Sequence, residues 1–183
     1  EATAEAIDSN GWFHTGDIGE IDADGYLKIT DRKKNILVTS GGKNVAPAPI
    51  ENALVNSPYI EQAVVIGDNR NFISALIVPV EEAVGKELAA HGKSLAGSDI
   101  MSDHPEVKAL IQKEVDAAMV GFSNYERIKE FSILSRLFTI KDGELTPTLK
   151  VIRKVVLNNF SDSVAKNYSG SSKAVAESET VAI

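Results

Sequence analysis

The sequence predicts a small α+β domain with a β-hairpin in front of it, and three observations carry that expectation. The pair Asp24-Gly25 lies between two short alternating runs, which is a strong local hairpin signal. Two runs rich in β-branched residues, Ile60 to Ile66 and Phe72 to Val80, are separated only by Gly67-Asp68-Asn69-Arg70-Asn71, so they should pair antiparallel. Four helical segments surround these strands without alternating with them one for one.

In chain order, Glu1 to Asp8 reads as the end of a helix. Ile18 to Asp22 and Tyr26 to Thr30 form the hairpin. The charged stretch Asp31-Arg32-Lys33-Lys34 leads to a short apolar run, Ile36 to Val38, and then to Thr39-Ser40-Gly41-Gly42-Lys43-Asn44. Paired glycines there allow a turn, or a close approach to the backbone that a Cβ would block. Val45 to Asn56 is a helix opened by Pro47 and Pro49, with Ile50, Ala53 and Leu54 on one face. After the strand pair come helices over Glu81 to His91 and Pro105 to Val120. The second carries Val107, Leu110, Ile111, Val115, Ala118 and Met119 at spacings of three and four. A strand at Glu130 to Leu134, a turn at Lys141-Asp142-Gly143-Glu144 and a helix from Val151 to Phe160 complete the order. Ser161 to Ile183 is rich in Ser and small residues and reads as a flexible tail.

Composition narrows the function. The 183 residues carry 19 Lys plus Arg against 26 Asp plus Glu, a net charge of −7, which argues against binding nucleic acid through phosphate neutralisation. There is no cysteine and there are only three histidines, so disulfides, thiol nucleophiles and a protein-ligated transition metal are disfavoured. A cytoplasmic setting fits, and peripheral contact with a membrane surface stays open. The first residue is Glu1, so the chain reads as one that begins in mid-protein.

Several motifs fail on inspection. Gly42-Lys43 lacks both the glycine five residues earlier and the following Ser or Thr of a phosphate-binding loop. The Glu20 to Asp31 stretch has part of an EF-hand spacing but joins two strands and lacks the terminal Glu, so no metal site is assigned. Ser40 lacks the flanks of a nucleophile elbow.

Two clusters are harder to dismiss. Gly11-Trp12-Phe13-His14-Thr15-Gly16-Asp17 places a carboxylate at the mouth of the hairpin, where it can accept hydrogen bonds from a vicinal diol such as a ribose. The competing reading is a Trp and Phe in the core with Asp17 closing a turn. In Leu145-Thr146-Pro147-Thr148-Leu149-Lys150 and the following Arg153-Lys154, a lysine at a Pro-containing loop can offer a point charge to a carboxylate or phosphate. The competing reading is a solvated basic helix start, which the helix dipole opposes.

Together with Gly25-Tyr26-Leu27-Lys28-Ile29-Thr30-Asp31-Arg32-Lys33-Lys34-Asn35-Ile36 and Ser40-Gly41-Gly42-Lys43-Asn44-Val45-Ala46-Pro47, these clusters resemble the carboxy-terminal third of the AMP-forming acyl-CoA synthetases. The likeness covers about Ala6 to Phe160 and is greatest to the long-chain fatty acid branch of that adenylate-forming superfamily. It implies a parent that converts fatty acid, ATP and CoA to acyl-CoA, AMP and diphosphate, with Mg²⁺ on the nucleotide. By the resemblance, residues 1–33 end the large amino-terminal domain and 34–160 form a small lid with a short antiparallel sheet flanked by helices, leaving 161–183 as tail. Asp17 and Arg32 would contact ATP, with Asp17 on the ribose hydroxyls. Lys34 would be the hinge, Ser40, Gly41, Gly42 and Lys43 would line the CoA channel, and Lys150 would be the catalytic lysine of adenylation. The phosphate loop, adenine pocket and acyl tunnel would lie in the amino-terminal domain, so the chain alone should be inactive. The alternatives are the lid of another acid–CoA or acyl-AMP ligase, and a non-catalytic interaction module of the same fold. The superfamily often has Gly where this sequence has Leu149.

Overall fold

The computed structural model describes residues 6–93 and 101–169. Most of the helix end expected over Glu1 to Asp8, and residues 170–183 of the expected tail, lie outside them. The hairpin is β1 (Asp17–Ile21) with β2 (Leu27–Arg32), antiparallel, with Asp17 opposite Arg32. Asp22 closes its turn by accepting the Asp24 and Tyr26 amides on Oδ1, at 3.0 and 2.9 Å, and Gly25 takes φ +87°. Its large apolar side chains are not buried: Trp12 is 74% exposed, and Phe13, Ile21, Tyr26 and Leu27 are also in solvent. The reading that put Trp12 and Phe13 in the core is therefore wrong for this chain.

After a single 3-10 turn over 33–35, β3 (Leu37–Val38) pairs with β4 (Asn44–Val45), a two-residue strand that the sequence pattern did not reveal. Helix α1 (Pro47–Val55) follows, then β5 (Ile60–Ile66) and β6 (Ile73–Pro79), antiparallel as expected. Helices α2 (Glu81–Ala90) and α3 (Pro105–Ala118) lead to β7 (Ile128–Ile133). β7 pairs with β6 in parallel, so the three-stranded sheet is mixed rather than antiparallel throughout. The physical reason is the connection: α2 and α3 carry the chain back across the sheet, as a crossover must before a parallel strand.

The sheet is buried on both faces, which explains the unbroken apolar runs of β5 and β6. Ala63, Val65, Ala75 and Ile77 face a layer formed by Ile50 and Leu54 of α1, Val84 of α2, and Val107, Ile111 and Val115 of α3. Val64, Ile66, Leu76 and Val78 face the opposite layer, made by Leu134, Phe138, Leu145, Val156, Val164 and Tyr168. The second layer contains α4 (Arg153–Asn159) and α5 (Ser161–Ser169). The expected tail is thus a docked helix over its first nine residues.

Composition hid α5 because its anchoring is polar. Ser132 Oγ donates to Asn167 Oδ1 at 2.6 Å, and Asn167 Nδ2 donates to the Ala75 carbonyl at 3.1 Å. The Tyr168 hydroxyl accepts from Ser74 Oγ at 2.9 Å and lies 3.2 Å from the carbonyls of both Ile66 and Phe72. Replacing Tyr168 by Phe leaves these buried groups short of a partner. It should destabilise the chain by about 1–2 kcal/mol and lower its Tm by about 2–8 °C. A Tyr168→Phe melting curve by circular dichroism that overlays the wild type would show that the hydroxyl does not hold α5.

Arg153 is also not a solvated helix start. It pairs with Glu51 of α1 at 2.8 Å and donates to the Val65 carbonyl, while Glu51 accepts the Val65 amide at 2.8 Å. This joint ties α1, β5 and α4 together directly after the Lys150 loop.

Candidate functional site

Pairing of β1 with β2 brings two of the predicted residues together. Arg32 Nε lies 2.7 Å from Asp17 Oδ1, and Arg32 Nη1 donates to the Thr15 carbonyl at 3.1 Å. Thr15 Oγ1 accepts the Asp17 amide. An exposed pair of this kind adds at most about 1 kcal/mol to stability. Asp17 Oδ2 has no partner among the described residues, so the carboxylate keeps acceptor capacity for a ligand.

Lys34 sits exposed in the 3-10 turn. Just before it is Asp31, which sequence reasoning passed over and which is only 7% exposed. Its Oδ1 accepts the Arg32 amide at 2.6 Å and Asn35 Nδ2 at 3.2 Å, and its Oδ2 accepts the Ala48 amide at 3.2 Å. Helix α1 begins at Pro47 after Ala46, which has no side chain to cap it, so an amide of its first turn needs a partner from elsewhere. That missing cap was the available signal. Asp31, directly ahead of the Lys34 turn and bonded to Asn35 at its end, thereby ties the turn to α1.

The glycine loop is the turn between β3 and β4. The Thr39 amide donates to the Lys43 carbonyl at 3.0 Å, the Gly42 amide to the Thr39 carbonyl at 2.8 Å, and the Lys43 amide to Thr39 Oγ1 at 3.1 Å. The Ser40 amide donates to the Arg70 carbonyl at 2.8 Å, pinning the turn to the β5–β6 link. Ser40, Gly41, Gly42 and Lys43 all face solvent. Gly42 has φ +74°, and a Cβ built on it would meet no atom within 4 Å. Lys43 Nζ stands 5.7 Å above the Tyr125 ring.

Lys150 is exposed on the loop between β7 and α4. Its amide donates to Thr146 Oγ1 at 3.0 Å and its carbonyl accepts the Thr146 amide at 2.8 Å, closing a tight turn. Leu149 takes φ +61° in that turn, the left-handed region that costs a residue with a Cβ about 1–2 kcal/mol and costs glycine little. The stem of the loop is a bridge between Leu145 and Val151.

Beneath this stem is Glu144, fully buried and expected only as part of a turn. Arg136 Nη1 and Nη2 donate to its two oxygens at 2.8 and 2.6 Å, Thr139 N–H at 3.0 Å, and Asn159 Nδ2 at 2.9 Å. The Arg136 hydrogen bonds, aided by Asn159 and Thr139 and opposed by burial, bring its pKa from 4.5 to about 2. The same carboxylate raises the pKa of Arg136. Glu144 therefore anchors both ends of the Lys150 loop, and the Ile152 amide adds a bond to its carbonyl at 2.7 Å. Only its place beside Gly143, with no apolar period, stood in the sequence.

The glycine loop and the lysine loop are rooted on opposite sides of the central sheet. Leu37 and Val45, which flank the former, belong to the α1–α3 layer, whereas Leu145, at the base of the latter, belongs to the α4–α5 layer.

An α+β domain that holds such loops outward by backbone bonds has the architecture of the carboxy-terminal domain of adenylate-forming enzymes. The chain belongs to the AMP-binding enzyme C-terminal domain family, whose model matches residues 34–172. It is 46% identical over 170 residues to the long-chain-fatty-acid–CoA ligase FadD15 of Mycobacterium tuberculosis, covering 92% of this chain and 28% of that protein. It is 36% identical over 190 residues to the long-chain-fatty-acid–CoA ligase ACSBG1 of Mus musculus, covering 92% and 26%. Among solved structures it resembles the A domain of carboxylic acid reductase from Segniliparus rugosus, in complex with AMP and a co-purified carboxylic acid. The TM-score there is 0.74 at 30% identity, covering 93% of this chain and 25% of that one. The chain thus spans little more than a quarter of the relatives it matches. Among the described residues no helix is long and apolar enough to cross a membrane.

Proposed function

We propose that this chain is the carboxy-terminal lid, preceded by the last hairpin of the large domain, of an ATP-dependent long-chain fatty acid–CoA ligase. The observation that carries the reading is the rooting of the two loops on opposite sides of one sheet. A rigid body so built can present Lys150 in one orientation and the glycine loop in another, turning about Lys34. The exposed apolar side chains of the hairpin support a division near residue 33, because they are what a neighbouring domain would cover.

Attack of a fatty carboxylate on the α-phosphate of ATP brings two anions together. An ammonium placed between them at Lys150 stabilises the transition state more than the separated reactants. Asp17 accepts hydrogen bonds from the ribose hydroxyls, and Arg32, held by Asp17, offers its guanidinium to the nucleotide. Mg²⁺ would accompany the nucleotide and offset the charge of its phosphates. CoA then passes its pantetheine arm along Ser40, Gly41, Gly42 and Lys43, where the open space above Gly42 admits a slender chain.

The full-length protein is expected to form acyl-CoA, AMP and diphosphate from a long-chain fatty acid, ATP and CoA, and the 183-residue chain by itself to form none. Turnover by the isolated chain would sink the division of labour. The likeness to a carboxylic acid reductase A domain favours one second reading, an acyl-adenylate-forming enzyme that does not use free CoA. Accumulation of acyl-adenylate with no thioester in the same assay would select it.

A further inference from the structure

A scattered exposed leucine needs no explanation, but one held in a left-handed conformation does. Among the described residues only Asn69 and Leu149 combine a side chain with positive φ, and asparagine tolerates that region where leucine does not. Leu149 is also 69% exposed, so burial gives nothing back for the strain. Glycine would satisfy the turn, whose bonds from the Leu149 amide to the Thr146 carbonyl and from the Lys150 amide to Thr146 Oγ1 are made by backbone and threonine alone. Neither the core nor the backbone selects leucine here, which leaves the side chain itself.

We propose that Leu149 is a positioning residue for Lys150, its exposed isobutyl group forming the wall that keeps water from the ammonium when the lid lies against the large domain. The inference rests on the role given to Lys150 above. Residues on both sides of the lysine fit it: Leu149, Val151 and Ile152 are apolar and exposed, while the buried Glu144 holds the stem rigid. An ammonium between two anions stabilises them far more strongly in a dry site than in water. A leucine placed one residue away supplies that dryness only in the adenylating orientation, and the thioester step, run from the other side of the sheet, does not call on it.

The test uses Leu149→Gly, Leu149→Ala, Leu149→Met and Lys150→Ala in the full-length protein, with both half-reactions measured separately. Gly and Ala should lower kcat of acyl-adenylate formation about tenfold, with KM for ATP and thioester formation from supplied acyl-adenylate within about twofold of wild type. Met, which restores apolar bulk, should return kcat to within about twofold. The Tm of the 183-residue chain should not fall in Leu149→Gly, because strain is relieved. Full adenylation by Leu149→Ala together with loss in Leu149→Gly would show that the residue only stiffens the backbone and would overturn the proposal. Full activity of both, no rescue by Met, or a lower Tm for Gly would overturn it equally. If Lys150→Ala still forms adenylate, the lysine's role fails and Leu149's with it. If Lys150→Ala is inactive while the Leu149 variants are not, only the present inference fails.

Discussion

Lys150→Ala in the full-length protein is expected to slow acyl-adenylate formation about a thousandfold while thioester formation from supplied acyl-adenylate stays within about twofold. A thousandfold corresponds to about 4 kcal/mol of transition-state stabilisation, a size reached by a preorganised charge in a site that excludes water and not by an exposed one. The fold supports the selectivity of the effect, because the Lys150 loop is rooted in the α4–α5 layer and the glycine loop in the α1–α3 layer. Gly42→Leu should give the reciprocal result. A Cβ built at Gly42 meets no atom of the chain within 4 Å, so adenylation should persist, whereas a pantetheine arm passing the loop would meet the new bulk. The φ of +74° at Gly42 adds a local strain of about 1–2 kcal/mol, which a domain of this size tolerates. Equal loss of both half-reactions in either variant would refute the assignment of one step to each loop.

The layered core was legible wherever the pattern was apolar. The β-branched apolar runs at Ile60 to Ile66 and Ile73 to Pro79 and the three-four spacing of Val107, Ile111 and Val115 reappear as the sheet and its covering helix. What stayed hidden was polar. Helix α5 docks through Asn167 and Tyr168, and a Ser-rich segment gives no hydrophobic period to betray it. The direction of β7 depends on the path of the crossover, which no window of residues encodes. Asp31 and Glu144 are carboxylates in charged or turn-like stretches, and the sequence alone reads such residues as solvated. Their partners lie on other elements: the Ala48 amide of α1 for Asp31, and Asn159 of α4 for Glu144. The motif residues Asp17, Arg32, Gly42 and Lys150 were visible through resemblance, but the groups that hold them in place became visible only in three dimensions.

That distinction gives the second large effect. Glu144→Gln should lower the stability of the 183-residue chain by about 3 kcal/mol at pH 7, and its Tm by roughly 6–12 °C, because Arg136 loses its buried charged partner and the buried amide cannot accept all the bonds the carboxylate accepts. The effect should depend on pH in a defined direction. The carboxyl has a pKa near its ordinary 4.5 in the unfolded chain and about 2 in the folded one. Ionised Glu144 therefore contributes its full stabilisation above pH 4.5, about 3 kcal/mol by linkage, and loses it as pH falls through 4.5 towards 2. Wild type and Glu144→Gln should differ most at neutral pH and converge in acid. Melting curves at pH 7 and pH 3 decide the matter, since a Tm gap of the same size at both would mean that the shape of the side chain and not its charge holds the loop. Because Glu144 sits at the base of the turn that carries Lys150, the same substitution in the full-length protein should slow adenylation more than thioester formation. Melting of the anchor and misplacement of the lysine are one event seen by two measurements.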